Sequence, residues 1–233
     1  MSEQITSITL CKYSSLREKL WAFNMMAKGH KHLKVVPGMQ FYKLMGSGSG
    51  LGFNFYPDWG VYSLLQIWDT EPDFNNFYES SELIYKYQSH TDEMITILMK
   101  PIKTHGLWSG KNPFHESTQL DKSNQHISVI TRATIKTSKL VKFWRYVPTS
   151  QKPIKDMQGL IFTKGIGEVP IKQMATFSIW ENEDALNSFA YQSKEHSKAI
   201  KLTRDLNWYS EELFARFQPY KTIGEWTGIN LPL

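Results

Sequence analysis

Apolar and polar positions alternate along several stretches in the second half of the chain, and between them the apolar positions recur at helical spacing. Residues 127–135 alternate and carry β-branched side chains, which predicts a strand. Ser138 is suited to cap a helix that extends to about Tyr146 and ends at Pro148. Beyond it we predict paired strands at 159–167 and 174–180, a long helix from Asn182, and a last strand at 213–218 before Pro219. The predicted order is βαββαβ.

The same order is predicted twice, because the chain contains an internal repeat. Residues 38–43 align with residues 159–164 at an offset of 121. Residues 67–69 and Phe77 align with residues 179–181 and Phe189 at an offset of 112. Residues 103–110 align with residues 221–228 at an offset of 118. Three matches in the same order indicate duplication, with an extra stretch near residues 46–60 in the first copy.

The element order βαββαβ is typical of the ferredoxin-like arrangement, a four-stranded antiparallel sheet with both helices on one face. The bare face of each sheet must be covered, and the other copy is the simplest cover. We therefore expect an α+β fold in which two ferredoxin-like repeats form a pseudo-dimeric barrel. The expected division is residues 1–114, a polar linker at 115–125, and residues 126–233.

Composition narrows the class of protein. The 233 residues are 41% hydrophobic and 21% charged with a net charge of +5, which predicts a globular chain and gives no indication of nucleic-acid binding. The start has no signal-peptide pattern and no stretch is long and apolar enough to span a membrane, so we expect a cytoplasmic protein. The single cysteine, Cys11, excludes an internal disulfide and a multi-cysteine metal site within one chain.

Among the seven histidines, His196 has a distinctive setting. Phe189, Ser193, His196 and Ile200 recur at spacings of four, three and four residues, so they share one face of the predicted helix. The first copy has no histidine at the corresponding place, between Tyr78 and Ile84. Two interpretations stay open at this point: a buried structural histidine, or an axial ligand of a haem iron between helix and sheet.

Other motifs give weaker signals. The glycine-rich run at 46–52 lacks the glycine order of a phosphate-binding loop, so a ligand loop and a simple hairpin insertion both stay open. The carboxylates lack the spacing expected of acid/base pairs, which sets hydrolase chemistry aside. Trp144, Trp180 and Trp208 are expected in the core, where they can also line an apolar pocket.

At this point several segments, taken together and in order, resemble the spheroidene monooxygenase family: FYKLMGSGSG at 41–50, TRAT at 131–134, GIGEVP at 165–170, TFSIW at 176–180 and EELFARF at 211–217. The resemblance covers about residues 10–228. Members of that family are understood as haem-containing carotenoid oxygenases. The resemblance therefore implies a haem-dependent monooxygenase that hydroxylates or ketolates an apolar substrate, with a carotenoid expected.

The resemblance also implies roles for particular residues. His196 matches the histidine on the second-copy helix of the family and would ligate the iron of haem b. Arg132 would hydrogen-bond iron-bound oxygen or a propionate, and a surface or salt-bridged arginine is the alternative. Arg204 would pair with a propionate. Phe189, Ile200 and Trp208 complete the expected haem-binding set.

The implied reaction needs O₂ and an external electron donor such as a ferredoxin. A long apolar substrate also suggests peripheral membrane contact, for which Trp21, Phe23, Met25 and Met26 beside Lys19 and Lys28 are candidates; a packed helix is the alternative. A homo-oligomer is left open. Two other functions stay open as well: a haem enzyme of this fold acting on a small nitrogen- or oxygen-containing substrate, and a non-catalytic pseudo-dimer.

Overall fold

The computed structural model describes residues 3–52, 54–151, 157–189 and 207–233, with the backbone alone at 148–151. Strands in these ranges form one closed antiparallel barrel in the order β1-β3-β2-β6-β7-β5-β8-β4. The strands are β1 Ile5–Lys12, β2 Met39–Gly48, β3 Pro57–Trp68, β4 Glu93–Gly106, β5 Ile127–Ile135, β6 Leu160–Val169, β7 Gln173–Trp180 and β8 Tyr209–Glu225. The helices are α1 Leu16–Lys28, α2 His30–Leu33, α3 Glu71–Ser80, α4 Glu82–His90, α5 Leu140–Gln151 and α6 Glu183–Asn187.

Each half of the barrel is a four-stranded antiparallel sheet, in the order β4-β1-β3-β2 for the first copy and β8-β5-β7-β6 for the second. The register repeats as well, because Ile5 pairs with Trp68 in the first sheet and Ile127 pairs with Trp180 in the second. The predicted α+β barrel of two ferredoxin-like repeats is confirmed. The boundaries proposed at residues 114 and 126 stay a prediction.

The two sheets meet along one long and one short junction. Strands β4 and β8 pair from Met94 opposite Glu225 to Gly106 opposite Leu213, whereas β2 and β6 pair only at Gly46–Gly167 and Ser47–Ile166. Equivalent glycines of the repeat lie on the long junction. A Cβ atom at Gly106 would lie 2.2 Å from the carbonyl oxygen of Glu212, and one at Gly224 would lie 2.2 Å from that of Met94. These close backbone approaches explain why the repeat carries glycine at both positions.

The barrel interior is filled by apolar side chains from both sheets. Ile8, Ile97, Ile130 and Phe177 are fully buried there, together with Trp108, which follows β4. Interior cores of this kind are packed as densely as organic crystals. A ligand site is therefore expected outside the barrel, on a sheet face that is covered by helices.

Two predicted elements end later than expected. The helix begins as a 3₁₀ turn at Thr137–Lys139 and continues as α5 to Gln151, past Pro148. Strand β8 runs past Pro219 to Glu225, because Pro219 lies beyond the last residue paired with β5, Phe217, and next to a register shift in the pairing with β4. In both cases the surrounding structure overrides the expected effect of proline.

Helix α1 packs on the first sheet, as in the packed-helix alternative of the sequence analysis. Met25 is buried, and Trp21 stacks on His90 with ring centroids 4.0 Å apart, so these side chains face the first sheet. Of the four predicted membrane contacts, Phe23 alone is exposed. Within the described ranges, no helix has both the length and the apolar character needed to cross a membrane.

Candidate functional site

The described residues pack differently on the helix-facing sides of the two sheets. In the first half, sixteen buried residues form one continuous cluster between the sheet and helices α1 to α4. In the second half, the described residues form two separate clusters, of five and four buried residues. One cluster contains Ile135 and Met174, and the other contains Val129 and Trp180. The middle of the second sheet lies between them.

Residues with small side chains occupy this middle region, which we call the floor: Thr131 and Ala133 on β5, Thr163 and Gly165 on β6, and Thr176 on β7. They share one face because they alternate with interior residues along each strand and pair across the sheet, as Thr131 does with Thr176 and Gly165 does with Thr176. Thr131 is exposed. Thr176 is partly exposed, whereas Ala133, Thr163 and Gly165 are buried, so the open part of the floor is the Thr131–Thr176 pair.

Comparison of the two copies shows which large side chains of the first sheet are replaced by small ones in the floor of the second. Gly165 is equivalent to Leu44, and Thr176 is equivalent to Leu64, at the offsets of 121 and 112 found in the sequence. Both leucines are buried, and Thr9, the counterpart of Thr131, is fully buried. Replacing two leucines by glycine and threonine removes apolar volume that the first half uses to pack its helices. Among the described residues, the second sheet thus has a shallow depression, which we call the cradle, where the first has a core.

Aromatic side chains form the two walls of the cradle. Phe143 of α5 lies against Trp208, with ring centroids 5.7 Å apart, and this is the α5 wall. On the other side, Phe189 stacks on Trp180 at 5.3 Å beside Leu186 of α6, and this is the α6 wall. Such walls suit a flat, largely apolar ligand.

Hydrogen bonds hold the walls in place. The Trp144 Nε1 group of α5 donates to the Ile171 carbonyl at 3.0 Å, which ties that helix to the β6–β7 turn. Asn182 caps α6, because its side-chain oxygen accepts from the Ala185 amide at 2.9 Å. Arg216 of β8 donates to Glu183 at 2.7 Å and so joins α6 to the sheet. Both walls are thereby attached to the same sheet as the floor.

Two buried donor groups in the α5 wall lack a hydrogen-bond partner within the described structure: the Tyr146 hydroxyl and the Trp208 Nε1 group. Their ring centroids lie 5.8 Å apart. A buried donor without an acceptor is destabilising, and native proteins rarely leave one unsatisfied. The pair is suited to an acceptor brought by a ligand, such as a carboxylate.

Arg132 lies on the opposite face of β5 from the floor. Its guanidinium is 2% exposed and lies 5.7 Å from the centre of the Trp108 ring, inside the barrel. It donates to Glu211 and lies 3.6 Å from Glu168, which also accepts from Trp108 Nε1 at 2.6 Å and from Lys43. The geometry matches the salt-bridged alternative. The haem-side role of Arg132 stays a prediction that these contacts do not support.

This ion cluster joins the two halves near the start of β8. Burial by itself raises the pKa of Glu211, but hydrogen bonds from the Gly110 and Ser109 amides and the charge of Arg132 outweigh it and hold the pKa below its ordinary value. The Gly110 amide donates at 2.7 Å and the Ser109 amide at 3.2 Å. The carboxylate therefore stays ionised and anchors the turn after β4.

The remaining predicted residues divide into two groups. Phe189 and Trp208 lie in the α6 and α5 walls, so the structure brings them to opposite sides of one cradle. His196, Ile200 and Arg204 lie outside the described residues. Among the described residues, no group of three His, Cys, Asp or Glu side chains is arranged to hold a metal ion.

The floor residues were missed by the sequence analysis, although a signal was present. The alignment of residues 38–43 with 159–164 extends by one residue to Leu44 and Gly165, and the change from leucine to glycine is visible there. A large-to-small change at one copy of a duplicated strand is what a ligand slot requires. Whether the position faces helices or barrel interior was not evident.

Comparison with known proteins finds relatives over nearly the whole chain by sequence. No protein-family model matches. A spheroidene monooxygenase of Rhodobacter capsulatus is 33% identical over 225 residues, covering 96% of this chain and 93% of that protein. A spheroidene monooxygenase of Cereibacter sphaeroides is 34% identical over 226 residues, covering 97% of this chain and 69% of that protein.

Comparison with solved structures supports the fold. A crystal structure of aldoxime dehydratase superposes with a TM-score of 0.61 at 11% identity, covering 97% of this chain and 86% of that one. An aldoxime dehydratase in complex with butyraldoxime also gives a TM-score of 0.61, at 9% identity, covering 94% and 80%. At this identity the similarity concerns the barrel architecture alone.

Proposed function

The chain belongs to the spheroidene monooxygenase family, and on that premise we propose that it is a haem-dependent monooxygenase that hydroxylates or ketolates a carotenoid. The observation that carries the haem assignment is the cradle. Its floor of small side chains is present in one half of a duplicated fold and filled by Leu44 and Leu64 in the other.

The cradle fits haem b in shape and chemistry. A porphyrin is flat and apolar with two carboxylates at one edge, and the aromatic walls supply apolar contact on both sides of the floor. The Tyr146 hydroxyl and the Trp208 Nε1 group are donors suited to a propionate. When bound, haem supplies an iron centre that activates O₂.

His196 is the proposed iron ligand. The segment that carries it joins Phe189 in the α6 wall to Trp208 in the α5 wall, so both of its ends are attached at the cradle. Its spacing from Phe189 adds to this argument, because residues seven apart share a helix face. Arg204 is proposed as a further partner of a propionate, and Ile200 as an apolar contact.

The chain's own residues have three tasks in this proposal. The aromatic walls exclude water and orient an apolar substrate. The hydroxyl groups of Thr131 and Thr176 are polar atoms on the floor, available to donate hydrogen bonds to an oxygen atom near it. Arg132 and Glu211 keep β5 and β8 in register behind the floor.

The overall reaction defines what must be supplied from outside. One hydroxylation consumes O₂, two electrons and two protons, inserts one oxygen atom into a C–H bond and releases the other as water. A second round at the same carbon gives a ketone after loss of water. An external donor such as a ferredoxin is proposed for the electrons, and peripheral contact with a membrane is proposed for access to the apolar substrate.

The test begins with haem reconstitution of the purified chain. We expect one haem per chain with a Soret band, and expect His196→Ala to lose most of that haem. His126→Ala is the matched control, because His126 is half-exposed and bonds within its own turn, to Asn124. Normal haem content and an unchanged Soret band in His196→Ala would exclude this ligand.

The substrate is tested separately. Haem-loaded enzyme is supplied with a carotenoid, ferredoxin, its reductase and ¹⁸O₂, and the product is analysed by mass spectrometry. We expect one labelled oxygen per oxidised carbon, because a ketone keeps only one of the two oxygen atoms inserted. Unlabelled product, or carotenoid recovered unchanged while haem is fully bound, would exclude carotenoid oxygenation and leave the haem site standing.

A further inference from the structure

The outer side of helix α1 carries apolar side chains that no element covers in the described structure. Leu16, Leu20 and Phe23 are 73%, 57% and 52% exposed and are spaced by four and three residues, so they form one stripe. The inner side of the same helix is packed on the first sheet through Ala22 and Met25. The helix is thus apolar on two sides, whereas packing needs only one.

The tip of the β2–β3 hairpin continues this stripe. Trp59 is 54% exposed and contacts Phe23 with ring centroids 5.5 Å apart. Phe55 and Tyr56 at the same tip are also more than half exposed. Exposed large apolar side chains are normal singly, but a continuous group of them marks a contact surface.

Basic side chains flank the stripe. Arg17 and Lys28 lie along one edge of it and Lys19 along the other, as the helical spacing requires. Glu18, the acidic residue of α1, bonds His90 at 2.6 Å on the inner side. An apolar stripe edged by cations, with tryptophan and tyrosine rings beside it, has the composition of a surface that lies on anionic lipid.

We propose that the outer stripe of α1 and the β2–β3 tip, together the docking surface, bind an anionic lipid bilayer. The purpose of this contact, delivery of an apolar substrate, rests on the proposed function. The lipid contact itself does not need haem or substrate.

Ring contacts connect the docking surface with the cradle. Phe55 at the hairpin tip contacts Trp144 of α5 at 5.6 Å, and Trp144 contacts Phe143 at 5.4 Å. Phe143 in turn lies against Trp208 in the α5 wall. A substrate that enters from the bilayer would therefore meet apolar side chains from the surface to the site.

The experiment is vesicle flotation of the haem-free and the haem-loaded chain. We expect binding to vesicles of phosphatidylcholine with phosphatidylglycerol at low salt, weaker binding at high salt, and little binding to phosphatidylcholine alone. Leu20→Ser/Phe23→Ser should lower the partition coefficient at least about tenfold, because two apolar side chains no longer enter the bilayer.

A matched control removes equally exposed apolar groups elsewhere. Val35 is 92% exposed and precedes β2 at the end opposite the hairpin tip, and Tyr85 of α4 is 70% exposed. Val35→Ser/Tyr85→Ser should bind vesicles as the wild type does. Urea unfolding of both double variants checks that the fold is intact, and Arg17→Gln/Lys19→Gln tests the same surface through charge alone.

Three results would overturn the proposal: no vesicle binding by the wild type, equal binding by Leu20→Ser/Phe23→Ser, or equal loss in both double variants. Analytical sedimentation tests whether a second copy of the chain, and not a bilayer, occupies the docking surface. If the wild type is a dimer that Leu20→Ser/Phe23→Ser dissociates and neither binds vesicles, the stripe is a subunit interface. Absence of haem with normal flotation would refute the proposed function and leave the docking surface intact.

Discussion

Refilling the cradle should strongly weaken haem binding without unfolding the protein. Gly165→Leu/Thr176→Leu restores the side chains that the first half has at Leu44 and Leu64. Both positions lie within paired strands, so leucine meets no unusual backbone requirement. The haem-free variant should be as stable as the wild type or more so, because apolar volume is added between two clusters that the described residues leave separate.

The magnitude follows from packing. Forcing extra groups into a closely fitted site costs roughly 1–3 kcal/mol for each. Two leucines under a flat ligand should therefore weaken haem binding by about 2–6 kcal/mol, a factor of about 30 to 20,000. Haem titration followed at the Soret band measures this factor, and urea unfolding of the haem-free protein measures stability in parallel.

Thr176→Val is the control, because valine keeps the size of threonine and removes only the hydroxyl. It should bind haem within a few-fold of the wild type. If Gly165→Leu/Thr176→Leu took up haem with wild-type affinity and an unchanged spectrum, the floor would not be the haem site. If the valine variant lost haem equally, the hydroxyl and not the space would be what matters.

Further predictions concern the barrel. Arg132→Leu should lower the free energy of unfolding, measured in urea, by about 2–3 kcal/mol. This is less than the loss expected for breaking a fully buried ion pair, because Glu168 and Glu211 both keep other hydrogen-bond partners. An unchanged free energy of unfolding would exclude the structural role of Arg132. Glu211 has a lowered pKa, so its stabilisation is fully present above its ordinary value of 4.5 and is lost as pH falls through the folded-state value; acid unfolding of the wild type against Glu211→Gln measures this. Gly106→Ala should destabilise by at least about 2 kcal/mol because of the contact with Glu212, whereas Gly110→Ala, with nothing near its Cβ, should lose only about 1 kcal/mol; equal losses would remove the close-approach explanation.

The case of Arg132 shows where sequence reasoning stops. Antiparallel sheets commonly have one face in contact with solvent, and the alternation of apolar and polar residues then shows which side chains point inward. Here the inner face of each sheet is covered by the opposite sheet, and much of the outer face is covered by helices. Val129 and Ile130 lie on opposite faces of β5, and both are buried. The apolar pattern around Arg132 therefore does not distinguish the two faces. Only barrel closure assigns Arg132 to the interior.

The sequence alone determined the duplication, the order of elements and the barrel class, because these follow from local periodicity and from the similarity of two copies of one chain. The sequence also shows that Gly165 stands in the second copy where the first copy has Leu44. It does not show which face of the sheet this change affects. The tertiary structure decided which sheet face holds the cradle, that Arg132 points away from it, and that no described element covers the outer side of α1. These depend on how two sheets close on each other, and closure is a property of long-range contacts that local patterns do not encode.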